Sequence, residues 1–184
     1  MTCIVALIHE NKVFMGGDAA ASDDKSGLIF QRTDPKVFKV GQYGIGFVDS
    51  FRMGQILQYN WTPPKYTPTK TNSGLDKFMR TKFVESVKDA FRANGYGSQV
   101  SGQEDEGGIF LIGVEGRIFT MDEDFHIAEN IVNYMAEGSG AFLALGALYA
   151  TKNQKNPKIR MKLALEAAST FNMAVSPPYS YIQV

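Results

Sequence analysis

The sequence predicts an α+β protein, with antiparallel sheets and helices set apart from them, rather than a parallel doubly wound sheet. Two observations carry this. Segments of strand and helix character arrive in blocks (strands, helices, strands, helices, strand) instead of strict alternation. Two pairs of strand-like segments are also joined by short turns: residues 3–8 to 12–15 through His9-Glu10-Asn11, and residues 109–114 to 117–121 through Glu115-Gly116.

Each element has its own signal. Residues 3–8 are nearly continuous in apolar and β-branched types, the pattern of a strand covered by protein. Residues 27–31, 36–40 and 43–48 read as further strands, the second alternating Lys, Val, Phe, Lys, Val. Residues 51–59 suit a helix that Trp61-Thr62-Pro63-Pro64 stops, and a Pro/Thr/Lys-rich loop follows to Ser73. Leu75, Phe78, Met79, Phe83, Val84, Val87 and Phe91 recur every three or four residues, which predicts an amphipathic helix ending near Asn94-Gly95. Residues 95–108 are a second polar loop. Residues 131–136 read as a strand entering Gly138-Ser139-Gly140, and an Ala/Leu-rich helix then runs to about Thr151. Pro157 suits the first turn of a last helix through Phe171; Ser176-Pro177-Pro178 breaks the chain, and residues 179–184 suggest a closing strand.

The bulk composition bounds the function. The chain has 184 residues, enough for one domain over residues 1–184 with a sizeable core. Its 19 basic and 19 acidic residues cancel, leaving no electrostatic footprint for nucleic acid or an anionic membrane. A lone cysteine excludes an internal disulfide framework and fits a reducing, cytoplasmic setting. Two histidines without a cysteine cluster leave little material for a zinc site, and no metal is expected. No apolar run approaches the roughly 20 residues of a membrane span, and the N-terminal residues lack the pattern of a signal peptide.

Thr2, directly behind Met1, is the most informative residue. A threonine at a free N-terminus carries its nucleophile in its hydroxyl and its base in its own α-amine, whose reference pKa is about 7.7–8.0. The condition is removal of Met1. Gly138-Ser139-Gly140 does not extend to a dinucleotide fingerprint, because position 143 is Leu. The acidic clusters at 104–106 and 122–124 lack calcium-loop spacing, and Cys3, inside a strand, reads as core.

The order of these features, an N-terminal Thr strand, a hairpin ending in Gly17-Asp18, Lys36 at the start of a strand, and a late Gly-Ser-Gly before a small-residue helix, resembles the proteasome β-subunits and the bacterial HslV peptidase, both N-terminal nucleophile (Ntn) hydrolases. The resemblance runs from Thr2 to about Asn172. It implies a four-layer sandwich of two antiparallel sheets flanked by helices. It also implies that Thr2 is the nucleophile, Asp18 the carboxylate beside it, Lys36 the lysine that lowers its proton affinity, and Ser139 the serine near the α-amine. Lys39 takes that role instead if the strand register is shifted; positions three apart on a strand face opposite sides, so only one of the two points at Thr2.

Two positions depart from the family pattern. Val48-Asp49-Ser50 stands where the family has a Gly-Gly pair whose backbone N–H stabilises an oxyanion, so the donor falls at Val48 or Asp49, with the Asp49 charge opposing it. The family's supporting Asp corresponds to Asn172, or alternatively to Thr170.

The activity implied is a threonine-type peptidase without metal or organic cofactor. It acts on peptide or unfolded protein in a self-compartmentalising homo-oligomeric ring, which an ATPase unfoldase could serve. The alternatives are an Ntn amidohydrolase acting on a small amide, or a catalytically silent scaffold subunit in which Met1 is retained.

Overall fold

The computed structural model describes residues 2–23, 28–68, 73–96 and 107–184. Met1, Gly27, most of the polar loop at 95–108 with its acidic cluster at 104–106, and part of the loop before Ser73 lie outside the described residues.

The chain opens with a hairpin of β1 (Ile4–His9) and β2 (Lys12–Gly17). Its two-residue turn holds Glu10 at φ 49° and Asn11 at φ 58°, the paired left-handed residues that match strand twist. A small two-stranded sheet of β3 (Ala20–Asp23) and β4 (Leu28–Gln31) follows. Then come β5 (Val37–Val40), β6 (Tyr43–Phe47) and α1 (Phe51–Tyr59). The long amphipathic segment is helical from α2 (Ser73–Phe78) through a π-helical stretch at Met79–Phe83 into α3 (Val84–Ala93). β7 (Phe110–Val114), β8 (Arg117–Met121), β9 (Ile127–Glu129) and β10 (Tyr134–Glu137) lead to α4 (Ala141–Ala150), α5 (Pro157–Phe171) and β11 (Ser180–Gln183).

Two antiparallel sheets form the centre, ordered β10-β1-β2-β11 and β5-β6-β7-β8-β9. Along β1 the side chains divide between two environments. Ile4 and Ala6 meet Val13, Met15, Leu111 and Ile118 between the sheets. Cys3, Val5 and Leu7 face Ala144, Leu148, Met161, Ala164, Leu165 and Ala168 of α4 and α5. With both faces covered, the run need not alternate, which is why it reads as continuous apolar sequence. The other sheet is covered by α1 and α3 through Ile45, Phe47, Ile112 and Phe119 against Ile56, Phe83, Val87 and Phe91. The result is the helix–sheet–sheet–helix sandwich expected from the sequence.

Three local differences have physical causes. The strand expected at 131–136 forms only at Tyr134–Glu137; Ile131 is exposed, so its β-branched character has no sheet to join. β3 and β9 carry weak strand signals, being Ala-Ala-Ser-Asp and only three residues long, and pairing rather than propensity makes them strands. The π-helical stretch rotates Met79 and Phe83 into the core, where both are buried, without breaking the helix.

The sheets approach closely where β7 has no side chain: a Cβ at Gly113 would fall 2.8 Å from Val13 Cγ1. Gly113→Val is expected to cost about 1–3 kcal/mol by overpacking this contact, read as a fall in Tm of a few degrees for each kcal/mol in thermal unfolding.

Candidate active site

Antiparallel pairing gathers the candidate residues at one end of the sandwich. Ile4 of β1 pairs with Gly17 at the end of β2 and with Glu137 at the end of β10, while Val37 at the start of β5 pairs with Gly46 near the end of β6. Residues immediately outside these positions, Thr2, Asp18, Lys36, Asp49 and Ser139, therefore emerge at the same edge.

Asp18, Lys36 and Thr2 are all buried. Lys36 Nζ donates to Asp18 Oδ1 at 2.8 Å, and the Cys3 amide donates to the same oxygen at 2.9 Å. The other oxygen, Oδ2, accepts from the amides of Ala20 at 2.8 Å and Ser176 at 3.4 Å. Burial pulls the Lys36 ammonium below its usual pKa, and the contact with Asp18 partly restores it. Lys39 lies within β5 with its side chain exposed, whereas Lys36 is buried.

Thr2 is held through its backbone. Its amide donates to Ser139 Oγ at 3.3 Å, the Ser139 hydroxyl donates back to the Thr2 carbonyl at 3.3 Å, and the Gly140 amide donates to the same carbonyl at 3.2 Å. This packing dictates Gly138: its φ is 98°, and a Cβ there would sit 2.2 Å from Thr2 O. Asn172, the capping residue of α5, donates from Nδ2 to the Ser139 carbonyl at 2.7 Å and accepts from the Ala174 amide at 2.9 Å. Thr170 instead turns its hydroxyl to the Glu166 carbonyl within its own helix. Of the two candidates, Asn172 is the one that reaches the Ser139 turn.

Of the two oxyanion candidates, Val48 is already engaged, its amide donating to Ile109 O at 2.9 Å. Asp49 sits at φ 67° with an exposed side chain. Its left-handed backbone supplies the conformation that a glycine would have given, which Asp tolerates better than most residues. Among the described residues its amide has no hydrogen-bond partner. Ser50 then caps α1, its Oγ accepting from the Met53 amide at 3.2 Å. A negative field borders the site: the Glu137 carboxyl is raised by burial first, then by Asp122 and Asp49.

The sequence reading missed two contributors. Ser176 enters from far along the chain, its amide on Asp18 and its carbonyl accepting from Ala19 at 3.0 Å, with a buried Oγ that has no hydrogen-bond partner among the described residues. Nothing local marks it. The Phe51 ring, 6.0 Å from Lys36 Nζ, carries the Arg32 guanidinium at 3.9 Å, and Arg32 is paired with Asp34 through two hydrogen bonds. Its signal was the Arg32-x-Asp34 spacing just before Lys36.

Among the described residues no group of three or more His, Cys, Asp or Glu side chains is placed to hold a metal ion, and no helix is long and apolar enough to cross a membrane. Burial pushes the Cys3 thiol up to about 12, with Asp18 adding to the shift, so it is not a thiolate at neutral pH.

Solved structures share the fold of this chain. BPH from Thiobacillus denitrificans in complex with epoxomicin superposes with a TM-score of 0.78 at 17% identity, covering 100% of this chain and 98% of that one. Eukaryotic HslV from Trypanosoma brucei gives 0.68 at 13%, covering 99% and 98%. Anbu, an ancestral beta-subunit, from Yersinia bercovieri gives 0.67 at 13%, covering 100% and 81%. The fold is that of the proteasome-type Ntn hydrolases. No family model and no curated protein matches the sequence itself. The proteasome-like likeness is one of architecture, carried by full-length superposition at low identity.

Two outcomes follow from the buried pair. Asp18→Ala, which strands the Lys36 ammonium, should lower stability by about 3–5 kcal/mol, whereas Asp18→Ala with Lys36→Met should recover much of that loss; chemical denaturation of both variants reads the difference. Cys3 should resist iodoacetamide at pH 8 in the native protein and react on unfolding, as mass spectrometry would reveal.

Proposed function

We propose that this chain is a threonine-type peptidase whose nucleophile is the Thr2 hydroxyl, exposed by removal of Met1. The observation that carries the reading is the convergence of Thr2 with the buried Lys36–Asp18 pair and with Ser139 on the Thr2 amide. Freed of Met1, that amide nitrogen becomes the α-amine, and Ser139 Oγ is the group within hydrogen-bond distance of it.

The reaction then runs in two steps. The Thr2 hydroxyl adds to a peptide carbonyl while the α-amine takes its proton, directly or through water. The Asp49 amide donates to the developing oxyanion. Collapse expels the amine leaving group, which receives the proton, and leaves an ester on Thr2 that water hydrolyses. The Lys36 ammonium favours the alkoxide character of Thr2, and Asp18 holds that ammonium in place. No metal or organic cofactor enters the scheme. The substrate is an extended peptide or unfolded protein, reached inside a homo-oligomeric ring in the cytoplasm, and an ATPase unfoldase is the fitting partner for folded substrates. The HslV and BPH likenesses support this assembly reading at the level of fold.

One observation favours a silent subunit instead: Asp49, whose amide is the proposed oxyanion donor, carries a carboxylate and lies near enough to Glu137 to help raise that carboxyl's pKa. Intact mass of the natively expressed protein, with turnover of casein and of a fluorogenic peptide, separates the readings. The peptidase requires loss of one Met residue, degradation, and a stable adduct with epoxomicin, the ligand seen on the Thiobacillus protein. Retention of Met1 in the native host would overturn it. Action on small amides alone would move the assignment to an amidohydrolase.

Thr2→Ala should reduce kcat by at least about 10³-fold while leaving the assembly mass unchanged. The sign of the pH dependence is also fixed. The amine acts as base in its neutral form, and the Lys36 ammonium disfavours its protonation. Peptidase kcat/KM should therefore rise with pH as the amine loses its proton.

A further inference from the structure

The first peptide bonds of this chain lead straight into the middle of a sheet. β1 pairs with β2 on one side and β10 on the other, and both registers begin at Ile4. Thr2 is 2% exposed, and Cys3 and Ile4 are 0% exposed. Their backbone is engaged as well: the Thr2 carbonyl accepts from the Ser139 hydroxyl and the Gly140 amide, the Thr2 amide donates to Ser139 Oγ, and the Cys3 amide donates to Asp18. The Gly138–Gly140 turn presses on this segment without room to spare. A Cβ at Gly138 would lie 2.2 Å from Thr2 O, and one at Gly140 would lie 2.9 Å from Cys3 Cβ. Chain termini fray unless they are tied down; here the residues next to the terminus are core.

An exopeptidase needs the opposite arrangement. To cut the Met1–Thr2 bond it must draw the first residues, extended, into a pocket of its own and hold the backbone on both sides of that bond. Meeting that need here means releasing Thr2 from Ser139 and Gly140 and pulling Cys3 from its packing on α4 and α5. It also strips from Asp18 one of the donors that keep the buried Lys36 contact intact. Such an opening is close to global unfolding, not local fraying.

We propose that the Thr2 amine is set free only before the Gly138–Gly140 turn closes, by an aminopeptidase acting on N-terminal methionine. The fold then locks in whichever N-terminus the chain carries. In that step water adds across the Met1–Thr2 bond: hydroxyl goes to the Met1 carbonyl carbon, a proton goes to the Thr2 nitrogen, and free methionine leaves. The order of events follows from geometry alone. Its consequence, that each chain becomes an enzyme or a silent subunit before it folds, rests on the reading of Thr2 as nucleophile.

The test follows intact mass. Cell-free translation with methionine aminopeptidase inhibited provides the full chain with Met1 in place. Purified methionine aminopeptidase is then supplied to the folded chain, to a synthetic peptide of residues 1–10, and to a second translation while synthesis is under way. The peptide and the chain under synthesis should lose one Met residue. The folded chain should lose it at least about 10³-fold more slowly than the peptide, since it must open almost completely to be cut. Gly138→Ala, whose methyl cannot coexist with the Thr2 carbonyl, should speed trimming of the folded chain at least about tenfold, circular dichroism reporting that it is folded. Should that variant not fold, Ser139→Ala, which removes both hydroxyl contacts to Thr2, gives the same reading. Trimming of folded wild type at the rate of the peptide, loss of Met1 without added enzyme, or retention of Met1 when the enzyme is present during synthesis overturns the proposal. So does an unchanged rate in both variants when folded. Mass is read independently of turnover, so a trimmed but inactive chain would sink the assignment of Thr2 and leave this inference standing.

Discussion

The buried contact between Lys36 and Asp18 constrains everything around it. An ammonium and a carboxylate withdrawn from water keep their charges only if each is fully coordinated. Asp18 meets this demand with four donors from four places in the chain: the side chain of Lys36 and the amides of Cys3, Ala20 and Ser176. The start of β1, the turn after β2, the approach to β5 and the segment leading to β11 must therefore all be in place before the pair is stable. Both oxygens of Asp18 are taken up by donors, so it holds Lys36 in place, and the proposed scheme accordingly draws its base from the nitrogen of Thr2.

The topology makes that convergence cheap in sequence terms. Thr2, Asp18, Lys36, Asp49 and Ser139 each lie within a residue or two of a strand end, and antiparallel pairing brings those ends to one edge of the sandwich. A site built this way needs few specific side chains, because backbone amides supply most of the polar contacts. That is consistent with a full-length match in fold to BPH at 17% identity, since the hydrophobic layers tolerate substitution of like for like and the amides are present whatever the side chain.

Legibility in the sequence followed the same division. The layered α+β architecture was readable because β1 and the α2–α3 segment carry strong periodic or continuous apolar patterns. Lys36 and Asp18 were readable through the order of motifs along the chain, and the structure brings them to 2.8 Å. Ser176 was not, since its contribution is an amide and its partner is 158 positions away. β3 was missed because Ala, Ser and Asp carry little strand propensity and β9 because it is only three residues long, while Ile131 misled because its propensity is strong where no neighbour exists to pair with. The uniform apolar character of α4 signalled burial correctly on one face; sequence alone cannot say that the other face has no cover within this chain.

The departure at Asp49 looks most damaging to a hydrolase, and magnitudes decide how far. In the proposed scheme an exposed carboxylate separated from the oxyanion by water opposes it by about 1 kcal/mol or less, and by less under physiological screening. A well-placed backbone donor contributes about 2.7–4 kcal/mol in the same position. The left-handed backbone at Asp49 frees the amide from the ladder that engages Val48, while the side chain remains in solvent. Glu137 is the more serious neighbour because it is partly buried, yet burial and the charges of Asp122 and Asp49 raise its pKa, so it gives up its charge more readily than a solvated glutamate. In the proposed scheme the exposed Asp49 charge is therefore the smaller effect beside its amide, and the raised pKa of Glu137 weakens the neighbouring charge.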